Sequence, residues 1–196
     1  DQEVKGYFQL DKVLDGLFQL IQKLFTYRFE LVDLPVWHKD VRCYAIYGNT
    51  DETARAYVYL DLYSRPGKRS GAWMNVAANR RRIGHSIAAP MAWLTCNFQA
   101  PVGSRPATLT HDEVTTLFHE FGHGLHHVLT DMHEPRVSGL NGVEWDAVDD
   151  SVWYDILAFS RPNHFLTRLA YPIVRMTQKR FGRESSQAML RAVSSQ

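Results

Sequence analysis

Residues 110–130 read T-H-D-E-V-T-T-L-F-H-E-F-G-H-G-L-H-H-V-L-T, and within them His119-Glu120-Phe121-Gly122-His123 is an H-E-x-x-H match. At about 3.6 residues per turn, positions i and i+4 stand one above the other on a helix. The two imidazoles then point the same way and can hold one metal ion. Glu120 lies roughly 100° around the axis from His119, too far round to be the obvious third ligand. It is well placed to reach a water on that metal. This is the arrangement of zinc peptidase chemistry, in which the metal polarises a carbonyl and the Glu takes a proton from water.

The flanking residues predict that the stretch is helical. Thr110 and Glu113 form T-x-x-E, a capping box that starts a helix, and Asp112 and Glu113 put negative charge on its first turn. On a helical wheel Val114, Leu117, Phe118, Phe121, Leu125, Val128 and Leu129 gather on one side. His119, His123, His126 and His127 gather opposite them, so an apolar stripe can pack on a core while an imidazole stripe faces a cleft. Gly122 and Gly124 each cost about 1 kcal/mol relative to Ala inside a helix, which points to close backbone approach. The competing explanation is a solvated histidine-rich face that matches the motif by chance; the cap, the partition of faces and the acidic residues downstream argue against it.

Composition bounds the rest. The chain has 196 residues, enough for one domain or a large piece of a bigger one, with 45% hydrophobic and 12% aromatic residues to build a core. A net charge of +1 gives no strong pull toward nucleic acid or an anionic membrane. Cys43 and Cys96 sit in apolar, strand-like stretches and read as buried reduced thiols, which fits a reducing compartment. A cytoplasmic location is expected, with a mitochondrial or other organellar lumen as the alternative. Within these residues no signal peptide and no apolar run of transmembrane length is expected. The opening D-Q-E-V-K-G-Y-F, without an initiator Met, reads as a fragment entered partway.

Residues 11–26 carry Val13, Leu14, Leu17, Phe18, Ile21, Leu24 and Phe25 at helical spacing, with Asp11 able to cap the start. Residues 41–48 and 54–63 are β-branched and aromatic-rich around Gly48-Asn49-Thr50-Asp51, which predicts a hairpin. Residues 64–71 read as a loop ahead of Ala72-Trp73-Met74. Lys68 and Arg69 with Arg80-Arg81-Arg82 form the one basic cluster, read as a solvated loop and not a nucleic-acid site. Residues 91–98 look like a third strand lying beside the metal, and an edge there could take an extended peptide. Pro101 to Pro106 read as a linker. Residues 143–159 read as a second acidic helix with Asp146, Asp149 and Asp150, and two weaker helical patterns follow around 164–181 and 184–193.

Several blocks together resemble one family. They are Tyr59-Leu60-Asp61-Leu62-Tyr63, Gly71-Ala72-Trp73-Met74, Leu94-Thr95-Cys96-Asn97-Phe98 and Thr110-His111-Asp112-Glu113. They continue through Leu117 to Gly124 and through Asn141-Gly142-Val143-Glu144-Trp145-Asp146-Ala147-Val148. In this order they resemble the thimet oligopeptidase family of zinc peptidases, closest to its oligopeptidase A branch, over about residues 7–149. The resemblance implies an α+β, mainly α fold, a zincin-like core with a small antiparallel sheet beside the H-E-x-x-H helix. It implies one zinc per chain, held by His119 and His123 with Glu120 as general base, and short peptides as substrates. The family's third ligand is a Glu after the W-D-A-V block; here that place is Asp149, with Asp150 next. Beyond Asp149 the family pattern is lost, including a later His- and Tyr-rich segment; Tyr154, His164 and Tyr171 are the nearest substitutes in sequence. The whole chain, residues 1–196, is therefore expected to be a single partial catalytic domain with a divergent helical tail over 150–196.

Two functional expectations follow. One is a zinc-dependent endopeptidase core acting on short peptides; the other is a non-catalytic zinc-binding remnant that still binds peptides. A purely structural metal site is the weaker idea, since there is no four-ligand Cys/His set and an H-E-x-x-H site leaves a coordination position open.

Overall fold

A computed structural model describes residues 5–141, which lie within one compact unit, Asp1–Asn141. The expected helices at 143–159, 164–181 and 184–193, with Asp149 and Asp150, lie outside the described residues.

The apolar spacing of residues 11–26 produces helix α1, Leu10–Phe25, which buries Leu10, Val13, Leu14, Leu17, Leu20 and Ile21. Its N-cap is Gln9 without a side-chain hydrogen bond, so Asp11 is not the cap. Asp11 instead pairs with Arg42 at 2.6 Å from the first turn. The helix ends at Thr26, which takes the left-handed conformation at φ 61°.

Strands β1 (Tyr27–Val32), β2 (Arg42–Gly48) and β3 (Ala56–Tyr63) follow, then β4 (Trp73–Ala78), the small hairpin β5 (Arg81–Ile83) and β6 (Ser86–Ala88), and β7 (Met91–Phe98). The expected β2–β3 hairpin forms, with Cys43 opposite Tyr59 and Ala45 opposite Tyr57. The main sheet runs β1-β2-β3-β7-β4. β7 lies parallel to β3, with Leu60 beside Leu94, and antiparallel to β4, with Met74 opposite Leu94. Being paired on both sides, β7 offers no free edge. The expectation that residues 91–98 present one to a substrate is overturned, and among the described residues the edge near the histidine helix is β4.

The fold class also needs correction. Among the described residues there are two α-helices, α1 and α2 (His111–Val128), against a five-stranded mixed sheet that dominates the unit. Over the described residues the protein is α+β but not mainly α, and the sheet is not purely antiparallel. The physical reason lies in the segments themselves: Tyr-Val-Tyr-Leu and Ala-Trp-Leu-Thr-Cys runs fit a pleated surface buried on both sides. The helical expectation came from resemblance to far longer chains.

Both helices cover one face of the sheet. Phe18 of α1 stacks on Phe29 of β1 with centroids 4.5 Å apart, and Phe121 of α2 meets these rings at 5.9 and 5.8 Å. On the other face Trp37 packs near Tyr59 and Trp93. Beneath it Asp61, almost fully buried, accepts hydrogen bonds from Trp37, Arg65 and Lys68. The basic cluster is thereby split: Lys68 is buried on Asp61, while Arg81 and Arg82 are exposed on β5. Among the described residues no helix is long and apolar enough to cross a membrane.

Candidate metal centre

Helix α2 begins as the sequence predicts. The Glu113 backbone N–H donates to Thr110 Oγ1 at 3.2 Å, and the Thr110 N–H donates to Glu113 Oε2 at 2.7 Å, closing the capping box. Val114, Leu117, Phe118, Phe121, Leu125 and Val128 are buried against the sheet. Burying one such side chain is worth roughly 1.5–3 kcal/mol, so this stripe fixes which way the helix faces. Gly124 faces Leu94 and Met74, where an added Cβ would make ordinary contact at 3.7 and 4.0 Å. That position is therefore near the sheet without demanding glycine.

With the apolar stripe pinned, His119 and His123 stand together. Their Nε2 atoms lie 3.1 Å apart and their rings meet edge to face with centroids at 4.7 Å. Two nitrogens on a tetrahedral zinc at about 2.0–2.1 Å would stand roughly 3.3–3.4 Å apart, so the pair fits one ion with little movement. His123 is pushed down to about 4, by burial first and then by His119 and His126, so it is the neutral, metal-binding form of the ring at neutral pH. Among the described residues, no third His, Cys, Asp or Glu joins them in a group able to hold a metal. The proposed third ligand, Asp149, is outside those residues.

Glu120 is held above the usual carboxylate range by burial, which outweighs the opposing pull of His119 and of a hydrogen bond from the Met74 backbone. Cys96 on β7 is fully buried, and burial together with nearby Glu120 pushes its thiol up to about 12. Both cysteines are free and buried, as their apolar surroundings predict.

His127 departs from the expected imidazole stripe. It is 0% exposed, and its Nε2 lies 2.8 Å from the Ala78 carbonyl at the end of β4. Sequence reasoning also missed β4 itself and the Asp61 cluster. A lone Asp inside the apolar run Tyr57–Tyr63 was the available signal for the latter, since a buried carboxylate requires partners.

Comparison with known proteins bears on this site. The model of "Peptidase family M3" matches residues 1–151, and "Domain of unknown function (DUF1990)" matches residues 141–188. Oligopeptidase A of Haemophilus influenzae is 50% identical over 151 residues, covering 76% of this chain and 22% of that protein. The organellar (chloroplastic/mitochondrial) oligopeptidase A of Arabidopsis thaliana is 45% identical over 156 residues, 76% of this chain and 20% of its own length. A dipeptidyl carboxypeptidase of Salmonella typhimurium is 38% identical over 143 residues, covering 72% of this chain and 21% of that protein. The chain thus spans about a fifth of the length of these relatives. The family match takes in α1, the whole sheet and the helix bearing His119, Glu120 and His123, and on that ground the chain belongs to peptidase family M3.

Proposed function

We propose that this chain is the metal-binding core of a zinc-dependent endopeptidase acting on short peptides. The observation that carries the reading is the pair of His119 and His123 nitrogens 3.1 Å apart on one helix face, with the Glu120 carboxyl one residue on. His119 and His123 would hold one zinc, and Asp149, from its place after Trp145-Asp146-Ala147-Val148, is the proposed third ligand with Asp150 next. Zinc, when bound, supplies Lewis-acid polarisation of the scissile carbonyl and acidifies water.

The chain's own residues do the rest. Glu120, made more basic by burial, takes the proton of the attacking water and can pass it to the leaving amine. Among the described residues β4 ends the sheet, and ahead of Ala78, whose carbonyl is taken by His127, an extended peptide could add to it by backbone hydrogen bonds.

A second reading, a zinc-binding remnant without catalysis, is favoured by one observation: the match to a different domain begins at residue 141 and overlaps the segment expected to hold the third ligand. Developing negative charge in the transition state needs donors, and losing one costs about 10²–10³ in rate. Hydrolysis far slower than that of a full-length relative is therefore expected. Metal analysis with a fluorogenic peptide assay, each with and without chelator, separates the readings. Zinc lost on replacing His119 and His123 by Ala, with chelator-sensitive hydrolysis, supports the enzyme. Zinc without hydrolysis supports the remnant. Metal content unchanged by the double replacement refutes both.

A further inference from the structure

We propose that Arg55 and Arg80, at the end of the sheet where α2 stops, form a site for the carboxylate of a bound peptide. The inference rests on the reading of the chain as a peptide-binding core and adds a charged group to what that core recognises. Register brings the two residues to one place. Tyr57 of β3 lies beside Met91 of β7, and Met91 lies opposite Ala78 of β4. Arg55 stands two residues before Tyr57 and Arg80 two residues after Ala78, so both leave the same end of the sheet. β3 and β4 are two strand spacings apart there, about 9.5 Å, which two arginine side chains can span. The segment after α2 reaches the same end. Asp131 pairs with Arg55, and Asn141 donates to Asn79 Oδ1 at 3.0 Å, one residue before Arg80.

Unmet donors mark this end as a ligand site. Arg55 Nε and Arg80 Nε are both buried without a hydrogen-bond partner. A guanidinium does not lose its proton in proteins, so it cannot escape burial by becoming neutral. Among the described residues Arg80 has no carboxylate within ion-pair distance, and Arg55 has only Asp131, itself 73% exposed. Two cations thus face one anion, and the exposed Arg81 and Arg82 add positive charge outside. Burial first, and then the Arg55 charge, hold the Arg80 guanidinium below its ordinary value. The negative end of α2 favours cations only weakly. A carboxylate presents two oxygens in the plane of the guanidinium fork and supplies acceptor and charge together. The site also lies within reach of the histidine pair. His127, four residues or about 6 Å along α2 from His123, meets Ala78, and Arg80 follows about 7 Å further on. That is roughly four residues of extended peptide.

The test is calorimetric titration of the full chain with one short N-acetylated peptide that has no charged side chain. It is used with a free C-terminus, as the C-terminal amide, and as the amide carrying one Glu. Each titration is run with zinc and again with chelator, which exposes a carboxylate that sits on the metal instead. The free acid or the Glu amide should bind at least about tenfold more tightly than the neutral amide, with or without zinc. Which of the two does so tells a terminal carboxylate from a side chain. Arg80→Met should bring the ratio within about twofold of unity, and Arg80→Lys should keep part of it. Arg81→Met, on the exposed hairpin, should leave it unchanged. Because Arg80→Met removes an unmatched buried charge, its urea midpoint should equal or exceed the parent's. Equal binding of all three peptides overturns the inference, as does a preference that vanishes with zinc or survives both Arg80→Met and Arg55→Met. An Arg80→Met chain that does not fold overturns it too, since the guanidinium is then a structural partner. Binding of no peptide at all overturns the peptide-binding reading along with it.

Discussion

Replacing Asp61 by Asn is expected to cost about 3 kcal/mol of stability, and the figure follows from which partner is left stranded. The Asp61 side chain is 6% exposed and its carboxylate receives Arg65 Nη1 at 2.6 Å, Arg65 Nη2 at 2.8 Å, Lys68 Nζ at 2.9 Å and Trp37 Nε1 at 2.9 Å. Removing one partner of a buried pair typically costs about 3–5 kcal/mol, because the other charge stays buried and unmatched. Arg65 is 23% exposed and can turn to water, while Lys68, at 5%, cannot. Lys68 keeps the Asp61 and Tyr63 carbonyls as acceptors at 2.8 and 2.7 Å, which places the estimate at the low end. Lys68→Met should cost less, about 1–2 kcal/mol, since Asp61 then retains Arg65 and Trp37. Urea unfolding followed by far-ultraviolet circular dichroism measures both. A loss under about 1 kcal/mol for Asp61→Asn, or a larger loss for Lys68→Met, would refute the reasoning.

The same carboxylate gives a pH prediction. Burial pushes Asp61 up, but hydrogen bonds from Arg65, Lys68 and Trp37 outweigh it and hold the group below the usual range. Its stabilisation is complete above the unfolded value near ~3.9 and is lost as pH falls below that toward the folded value; acid titrations of the parent and of Asp61→Asn should differ in slope only there. Glu120→Gln should retain zinc while losing any peptidase activity, and metal loss in that variant would show that the carboxylate is a ligand. Thr110→Ala breaks the capping box and should cost about 1 kcal/mol in the same urea assay. Leu117→Ala, at a site 0% exposed, should cost about 2–5 kcal/mol. Cys96 should resist a thiol reagent in the native state and react on unfolding, because it is 0% exposed and its thiol is pushed up to about 12.

How far the residues alone lead depends on how local each interaction is. The capping box, the apolar stripe of α2 and the i, i+4 pairing of His119 with His123 depend on residues within two turns of one another, so their spacing is enough to predict them. The β2–β3 hairpin is legible for the same reason, because Gly48–Asp51 carries its own turn chemistry. The buried state of Cys43 and Cys96 follows from their apolar neighbours. Where β7 goes is a different matter. Parallel pairing of Leu60 with Leu94 leaves no mark in the intervening residues, and β4 reads as the end of a loop until β7 lies between it and β3. Nor could the wheel tell His127 from His126: its burial depends on Ala78 and Gly139, 49 residues before it and 12 after, meeting at one ring. Residue spacing is enough to predict the histidine helix and the chemistry it can carry. Which strand is the edge, which carboxylate is buried with cations and which histidine is buried become visible in the folded chain alone, because each depends on groups brought together from distant parts of the sequence.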